Sequence, residues 1–362
     1  MGQQTLREVS TVWYSWRKAM DAYKKNPSKF TGRPCIPGYL PKGKRHTFHV
    51  TSQTVKVKDG YLIINPRVKD FCFKLKLRPG IKNVKQVTFK PLSKGYFKVI
   101  VEYAINSEIK YLPDNHRYLG IDPGLDNAFT CVVNDPKVQP LIINGRGAKS
   151  INHYYNKQIS KLNKLHVQYK QCFQMGYTKQ GPKPFYYYSN RQKQITAWRN
   201  EKIRQFSHQA TKRILDYALS NDVNTIVIGK NKGWKRSIDL GKKTNQNFVG
   251  IPHQKIINML KYKANLHGIS VIQTNESYTS QTSALDNEKP CKQNGTYQRK
   301  QKGLKSANRR IHRGLFKTNH GILINADVNG AMQIVRKAFP EVSFAKGIRD
   351  AVLRPIKWNA SI

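Results

Sequence analysis

The chain has 362 residues, of which 65 are lysine or arginine and 20 are aspartate or glutamate, so its formal net charge is +45. So large a charge destabilises a compact state without a polyanion nearby, and it argues against an ordinary small-molecule enzyme. Hydrophobic residues make up 38% of the chain, which excludes wholesale disorder. The sequence contains neither an apolar run of about 18 residues, which a membrane span needs, nor the apolar core of a signal peptide. We therefore expect a soluble, cytoplasmic protein that binds nucleic acid.

The cysteine content points to a reducing compartment. Five cysteines are scattered along the chain, and no two form a Cys-x-x-Cys pair: Cys35, Cys72, Cys131, Cys172 and Cys291. An odd number with this spacing argues against a disulfide framework and against a four-cysteine zinc site.

The first 115 residues predict a helix followed by a small β-barrel. Apolar residues recur at helical spacing over residues 1–26, and a connector rich in proline and glycine follows. The stripe begins almost at Met1 without a cap, which suggests that a segment is missing before it. From about residue 46 to 103, five short segments alternate in polarity as half-buried strands do, and Asp59-Gly60 is a hairpin signal. We assign residues 1–33 to a basic helical segment and residues 34–115 to a β-barrel.

The rest of the chain has the element order of an RNase H-like fold. Three closely spaced strands are followed by a long helical stretch, a buried strand, a helix that opens at Pro252, a further strand and a helix that Asn325 caps. Three meander strands followed by two strand–helix units predict an α/β nuclease fold over residues 116–345. Residues 277–321 form a polar, basic insertion, and residues 346–362 a C-terminal tail. Trp198 lies on the apolar stripe of the long helix, so we expect its ring in the core.

Two aspartates stand where catalytic carboxylates would meet. Asp122 ends an apolar strand and is followed by Pro-Gly, while Asp327 lies in the first turn of the last helix. Alone, each has an ordinary structural explanation: Asp122 as a turn residue and Asp327 as a partner of the helix dipole. Together, with the intervening strands in this order, they indicate a two-metal nuclease, because such a site needs carboxylates from separate elements around two divalent ions.

Five segments resemble TnpB, a transposon-encoded, RNA-guided nuclease family related to the ancestors of type V CRISPR effectors. The resemblance covers nearly the whole chain and implies a helical recognition segment, a β-barrel wedge domain and a RuvC nuclease domain. It also implies a guide RNA from the transposon end and a double-stranded DNA target beside a short flanking motif. The segments are Pro27-Ser-Lys-Phe-Thr-Gly-Arg-Pro-Cys-Ile-Pro-Gly38, Gly120-Ile-Asp-Pro-Gly124, Glu276-Ser-Tyr-Thr-Ser280, Arg313-Gly-Leu-Phe316 and Asn325-Ala-Asp-Val-Asn-Gly-Ala331.

The chain departs from the family at the second catalytic carboxylate. The family's glutamate ends the fourth strand, where this chain has Gly229, which cannot bind a metal. One reading is a nuclease that no longer cleaves. The other is relocation to Glu276, just past the fifth strand, where a variant branch of the family also carries its glutamate. Asp239 is a rival position, whereas Asp126 and Glu288 are expected on the surface.

The basic insertion also differs from the corresponding segment of the family. The family places a four-cysteine zinc ribbon there, but here only Cys291, His312 and His320 offer zinc ligands, so bound zinc is not expected. Residues 288–317 instead carry ten lysines and arginines and one acidic residue, which predicts a clamp on nucleic acid or a disordered basic loop. The residues expected to contact nucleic acid or phosphate are Lys232, Trp234, Arg309, Arg310 and Arg313.

The sequence therefore predicts a Mg²⁺-dependent, RNA-guided double-stranded DNA endonuclease in which Asp122, Glu276 and Asp327 hold two Mg²⁺ ions. Its expected setting is a prokaryotic cytoplasm, at the nucleoid, as a monomer or weak dimer with no membrane partner. Two alternatives stay open: a catalytically inactive, RNA-guided DNA-binding repressor, and a RuvC-like nuclease that needs no guide.

Overall fold

The structure is a computed structural model, and it divides the chain into two compact units, Met1–Glu108 and Ile109–Ile362. No helix among the residues it describes is long and apolar enough to cross a membrane. The described residues are 2–39, 45–64, 73–92, 96–105, 108–135, 137–168, 173–178, 181–186, 189–230, 250–277, 279–288, 310–312, 314–344 and 352–362.

The first unit consists of one long helix and two three-stranded antiparallel sheets. Helix α1 (Gly2–Lys25) ends in two lysines, which complement the negative end of the helix dipole. One sheet has the order β1-β5-β6 and the other β2-β3-β4. The strands are β1 (Phe48–Thr51), β2 (Val55–Lys58), β3 (Tyr61–Ile64), β4 (Phe73–Lys76), β5 (Asn83–Pro91) and β6 (Phe97–Ala104), and two 3₁₀ turns lie at Pro27–Lys29 and Ser52–Thr54.

The predicted hairpin is present, and it raises the strand count from the expected five to six. Strands β2 and β3 pair directly across a two-residue turn, in which Asp59 has φ 52° and Gly60 has φ 76°. Two consecutive positive φ values are typical of the type I′ turn that Asp-Gly favours. Both sheets contribute to one core, formed by Val50, Leu62, Ile64, Val84 and Val87. Closure of the two sheets into a barrel stays a prediction.

The second unit is built on a six-stranded sheet with the order β13-β12-β7-β8-β9-β17. Strands β7, β8 and β9 form an antiparallel meander, while β12 runs parallel to β7 and β13 runs parallel to β12. This is the order expected from the sequence. The strands are β7 (Tyr118–Pro123), β8 (Asn127–Val133), β9 (Leu141–Asn144), β12 (Thr225–Gly229), β13 (Ser270–Thr274) and β17 (Ile356–Trp358).

Helices cover both faces of this sheet. Leu119 and Ile121 of β7 point into a core shared with the helices of one face, whereas Tyr118 points into a core shared with the last helix. Because side chains alternate along a strand, Gly120 and Asp122 face that last helix too. The helices are α2 (Arg146–Gln168), α3 (Asn190–Ser220) and α4 (His253–Asn265) on one face, and α5 (Ala326–Ala338) on the other.

The structure adds strands that the sequence did not predict. Residues expected to form a tail supply β17, which extends the sheet parallel to β9. The interruption between α2 and α3 contains an antiparallel hairpin of β10 (Phe173–Thr178) and β11 (Gly181–Tyr186). Three further strands form a small sheet, two of them inside the basic insertion and one just after it: β14 (Arg310–His312), β15 (Leu315–Lys317) and β16 (Leu323–Asn325).

The prediction that Trp198 lies in the core is wrong. Its side chain is 41% exposed and meets Tyr154 edge to face, with ring centroids 5.4 Å apart. The reason is local packing: the first half of α3 lies along α2, where Gln192 Nε2 donates to Asn163 Oδ1 at 2.7 Å and Arg199 Nε donates to Asn152 Oδ1 at 2.7 Å. The buried stripe of α3 packs on the sheet only further along the helix.

Candidate active site

Asp122 lies at the carboxyl end of β7 and faces helix α5. A methyl group added at Gly330 of α5 would come within 2.6 Å of Asp122 Oδ2. Real side chains never approach so closely, so the carboxylate of Asp122 occupies the space that any larger residue at position 330 would need. Glycine at this position is therefore what lets the carboxylate rest on the first turns of α5.

Asp327 lies in the first turn of α5, as predicted. The helix begins after Asn325, whose Oδ1 accepts from the backbone N–H of Asp327 at 2.9 Å and of Val328 at 3.3 Å. This is the capping arrangement that fixes a helix start, and it holds the backbone of Asp327. The side chain is oriented from β8, where Asn127 Nδ2 donates to Asp327 Oδ2 at 2.8 Å. Both the backbone and the carboxylate of Asp327 are thus held in place.

Asp122, at the end of β7, contacts α5 about one helical turn from Asp327. Gly330 follows Asp327 by three residues, and positions three apart on a helix have Cβ atoms about 5–6 Å from each other. Asp122 Oδ2 lies 2.6 Å from the point where a Cβ at Gly330 would be. The end of β7 therefore lies against the first turns of α5. Convergence of the two carboxylates on one metal site stays a prediction.

Glu276 lies against the position where the glutamate is missing. Strand β12 pairs in parallel with β7 up to Ile228 opposite Ile121, so the next position sets Gly229 beside Asp122. A methyl group added at Gly229 would lie 3.1 Å from Cβ of Glu276 and 2.4 Å from Cδ1 of Ile334. The chain after β13 thus returns over the end of β12, and the base of Glu276 takes the space beside the empty position.

The carboxyl group of Glu276 is largely removed from water, and this burial raises its pKa to about 7. The Lys337 ammonium opposes the rise, because a nearby positive charge favours the ionised form. Lys337 Nζ also donates to the backbone oxygen of Asn275 at 3.1 Å and to that of Ser277. It therefore holds the chain on both sides of Glu276.

The donor set suits Mg²⁺, which prefers carboxylate oxygens. The cradle at Gly330 supports this fit, because Asp122 Oδ2 occupies space that a Cβ would fill. Within the described residues, however, no three His, Cys, Asp or Glu side chains are arranged closely enough to hold a metal ion. The space beside Gly229 is bounded by both Glu276 and Ile334, and Ile334 lies seven residues along α5 from Asp327, which is about two helical turns. Convergence of the third carboxylate on the two aspartates stays a prediction.

The other residues predicted to serve function fall mostly outside the described part of the chain. Residues 231–249, 289–309 and 313 are among those outside it. For the strand residue Arg310, only the backbone pairing with Phe316 is described. The predicted residues that lie outside the described part of the chain are Lys232, Trp234, Asp239, Cys291, Arg309 and Arg313.

Two predicted surface acids and two zinc candidates, His312 and His320, are described. Asp126 is half exposed and its Oδ1 lies 2.8 Å from Lys149 Nζ, as expected for a surface residue. Glu288 is only partly exposed, because its carboxylate accepts from the backbone N–H of Ser283 at 2.8 Å. His320 Nε2 lies 3.9 Å from a carboxylate oxygen of Asp286.

Residues 282–288 form a loop that is hydrogen-bonded to α5, a role the sequence analysis missed. Asn329 Nδ2 donates to the backbone oxygen of Thr282 at 2.8 Å, and Asn329 Oδ1 accepts from the N–H of Ala284 at 3.0 Å. Gln333 Nε2 donates to Thr282 Oγ1 at 3.1 Å. Asn329 and Gln333 are fully buried and lie four apart on the helix, among apolar residues, which is the signal that could have identified the contact.

Comparisons with known proteins agree with the motifs. Residues 100–235 match the family model described as OrfB_IS605, probable transposase, and residues 253–334 match the one described as Cas12f1-like, TNB domain. The first match includes Asp122, and the second includes Glu276 and Asp327. No curated protein matches the chain.

Two solved structures resemble the chain at low identity. One is a cryo-EM structure of the Cas12f1-sgRNA-target DNA complex, at 16% identity and a TM-score of 0.41, covering 68% of this chain and 55% of that one. The other is a cryo-EM structure of a CRISPR-Cas12f ternary complex, at 15% identity and a TM-score of 0.40, covering 85% of this chain and 67% of that one. The chain thus spans little more than half the length of the first.

Two family models match on either side of residues 236–252, and one contains Asp122 while the other contains Glu276 and Asp327. The motifs that carry the resemblance lie in the same regions, apart from the N-terminal one. On these matches, the chain is a TnpB-like family member.

Proposed function

We propose that the protein is a transposon-encoded, RNA-guided endonuclease that cleaves double-stranded DNA by phosphodiester hydrolysis. The observation that carries the proposal is the contact between Glu276 and the empty position at Gly229, 3.1 Å from the point where a side chain there would begin. A third carboxylate therefore starts beside the end of the strand that neighbours Asp122. We therefore propose an active nuclease in which the catalytic glutamate follows β13, whereas the family's usual glutamate ends the preceding strand of the sheet.

Asp122, Glu276 and Asp327 would hold two Mg²⁺ ions. When bound, such ions activate a water molecule and stabilise the leaving oxygen of the phosphodiester. The remaining work falls to residues that hold the carboxylates: Asn127 donates to Asp327, and Lys337 donates to the backbone on both sides of Glu276. Preorganised ligands need no rearrangement when the substrate arrives.

The charge of the chain supports nucleic-acid partners. A net charge of +45 favours a long polyanion, and many phosphate contacts acting together resist moderate salt. Sequence choice would rest mainly on base pairing between the guide RNA and one DNA strand, while the protein reads a short flanking motif and the shape of the hybrid. The guide would come from the transposon end.

The decisive experiment is Glu276→Gln, measured with guide RNA and a target that carries the correct flanking motif. This change keeps the volume of the side chain and removes its charge. We expect Mg²⁺-dependent cleavage to be lost and guided DNA binding to be retained, because binding rests on phosphates and base pairs. The matched control is Glu341→Gln, on an exposed residue, which should cleave normally. Cleavage by Glu276→Gln at the wild-type rate would refute the assignment of this carboxylate.

Two measurements on the wild-type protein distinguish this function from its two alternatives, a nuclease that needs no guide and an inactive, RNA-guided DNA-binding protein. Sequencing of the RNA that copurifies should give one discrete species from the transposon end, whereas a random mixture of cellular RNA favours a nuclease that needs no guide. Guided binding without any cleavage in Mg²⁺ would favour the inactive, DNA-binding form.

A further inference from the structure

A groove runs between helices α2 and α3, on the face of the second unit where Trp198 emerges. Its volume is about 610 Å³, and it is open along one side. The residues that define this groove, named here the α2–α3 groove, are Ile151, Tyr154, Arg191, Gln194, Ile195 and Trp198. Apolar side chains form its floor, since Ile151 and Ile195 are buried.

Two aromatic rings stand at the rim of the groove. Tyr154 is 49% exposed and Trp198 is 41% exposed, so part of each ring faces solvent. Their T-shaped contact, with centroids 5.4 Å apart, fixes the two rings relative to each other. An exposed, oriented indole face is a platform on which a flat aromatic ligand can stack, and an unpaired nucleic-acid base is such a ligand.

The charge around the groove selects a polyanion. Residues 146–200 contain eleven lysines and arginines and no aspartate or glutamate. Arg191 lines the groove itself, and the exposed Lys157 and Lys161 continue the helix face of Tyr154 at spacings of three and seven. A strand lying in the groove would therefore meet positive charge for its phosphates and an aromatic face for a base.

The helices that form the groove are linked by hydrogen bonds to the loop that follows Asp122. Asn152 Nδ2 and Arg199 Nη2 both donate to the backbone oxygen of Gly250, at 3.1 and 2.8 Å. Three residues further on, His253 Nε2 donates to the backbone oxygen of Gly124 at 2.8 Å. The residues next to Ile151 and Trp198 are thus connected by hydrogen bonds to the turn just after Asp122.

We propose that the α2–α3 groove binds an unpaired stretch of the DNA strand that enters the active site, with one base stacked on Trp198 and the adjoining phosphates held by Arg191, Lys157 and Lys161. DNA is the favoured strand because the helices that form the groove are linked, through Gly250 and His253, to the turn after Asp122. This inference deepens the proposed nuclease function and rests on it. Only an unpaired base can use the platform, because the face of a base inside a duplex is already covered.

The test is fluorescence anisotropy of labelled, single-stranded DNA of about 12 nucleotides, which falls within the usual site sizes. The full-length protein, freed of bound nucleic acid, is titrated in EDTA so that no cleavage occurs. Trp198→Leu keeps an apolar side chain but removes the stacking face, and Trp198→Phe retains such a face. Tyr262→Leu is the matched control, because Tyr262 is an exposed aromatic residue on α4, outside the groove.

We expect Trp198→Leu to weaken DNA binding by about fivefold or more, since stacking on one base is worth at least ~1 kcal/mol. Trp198→Phe should retain most of the affinity and Tyr262→Leu all of it. The salt dependence of Trp198→Leu should equal that of the wild type, whereas Lys161→Gln should lower the slope by about 0.7, the value for one phosphate contact on a single strand.

Wild-type affinity in Trp198→Leu, at an unchanged unfolding temperature, would overturn the proposal, as would a loss confined to RNA of the same sequence. Because binding is measured without Mg²⁺, its outcome is independent of catalysis. A wild-type protein that binds through Trp198 but never cleaves guided targets would contradict the nuclease function and not the groove.

Discussion

Cβ of Glu276 lies 3.1 Å from the point where a side chain on Gly229 would begin. The two residues belong to different elements, the end of β12 and the chain just after β13, yet they compete for the same space. A side chain at position 229 would force Glu276 to shift by a few tenths of an ångström. The relation therefore couples the residue at position 229 to the position of Glu276.

This coupling predicts the effect of Gly229→Ala. The added methyl group would lie 2.4 Å from Cδ1 of Ile334 as well as close to Glu276, so the site is overpacked. We expect a loss of about 1–3 kcal/mol in the free energy of unfolding, and slower cleavage because Glu276 is displaced. Urea denaturation and a cleavage assay on the same preparation measure both effects.

Ile334→Val tests the cause, because it removes the Cδ1 atom that the new methyl group would meet. The double variant should be more stable than the sum of the two single changes predicts. Gly32→Ala is the control, since a methyl group there meets nothing within 4 Å. Additive effects of Gly229→Ala and Ile334→Val would show that the two side chains do not collide.

Gly330→Ala should separate stability from activity. Alanine favours a helix over glycine by about 1 kcal/mol, so the unfolding temperature should stay the same or rise. The added methyl group lies 2.6 Å from Asp122 Oδ2, however, and must displace the carboxylate from its present position. A misplacement of about 1 Å can lower a catalytic rate about 100-fold. Calorimetry and cleavage kinetics together give the two readouts.

The matched control is Gly147→Ala in α2, where the new methyl group makes an ordinary contact of 3.4 Å with Ile362. It should cleave at the wild-type rate. A Gly330→Ala protein that also cleaves normally would mean that the position of Asp122 over α5 does not matter for catalysis.

Much of the second unit could be predicted from the sequence because four strands of its main sheet, β7, β8, β9 and β12, are buried on both faces. Such strands appear as continuous apolar runs, and their order along the chain restricts how they can be arranged in a sheet. The places of Asp122 and Asp327 could be predicted because each stands at the boundary of an element that has its own sequence signal. Pro-Gly follows Asp122, and the Asn325 cap precedes Asp327.

Other features depended on packing that no local pattern encodes. Strand β17 has three residues, directly follows a proline and contains a lysine, so its pairing with β9 is a tertiary effect. Trp198 fits the apolar stripe of α3, but it faces the groove because α2 packs beside the first half of that helix. The proximity of Glu276 to Gly229 required the path of the chain after β13, which spacing alone leaves open.

Asp114 predicts a pH dependence of stability. Hydrogen bonds from Asn224 Nδ2 at 2.8 Å and from the backbone N–H of His116 at 2.9 Å lower the pKa of this carboxyl group, and the Tyr118 hydroxyl contributes a third. A lowered folded-state pKa means that the stabilisation is complete above the unfolded value, near 4, and is lost as the pH falls through the folded value.

The measurement is the difference in unfolding temperature between the wild type and Asp114→Asn. It should be constant from neutral pH down to about pH 5 and shrink below about pH 4, as Asp114 becomes protonated in the wild type. Asp222→Asn, at a carboxylate whose side chain is 81% exposed, is the matched control for replacing an aspartate by asparagine. A difference that stays constant down to pH 3 would contradict the role of the ionised carboxylate.

Lys337 should matter for cleavage although it is no metal ligand. Its ammonium group donates to the backbone oxygens of Asn275 and Ser277, so it fixes the chain on both sides of Glu276. Lys337→Met keeps most of the apolar stem and removes the donors. We expect guided DNA binding to be unchanged and the cleavage rate to fall roughly tenfold or more, because the carboxylate is no longer held in one position.

Lys337→Arg separates positioning from a general loss of structure, since a guanidinium can donate to both carbonyl groups and should recover much of the rate. Lys261→Met, at an exposed position on α4, is the matched control and should cleave normally. Binding is measured by gel shift in Ca²⁺, and cleavage by single-turnover kinetics in Mg²⁺. If Lys337→Met cleaves like the wild type, the loop holds Glu276 without this contact. If binding falls together with cleavage, Lys337 supports the fold as a whole and does not act through Glu276.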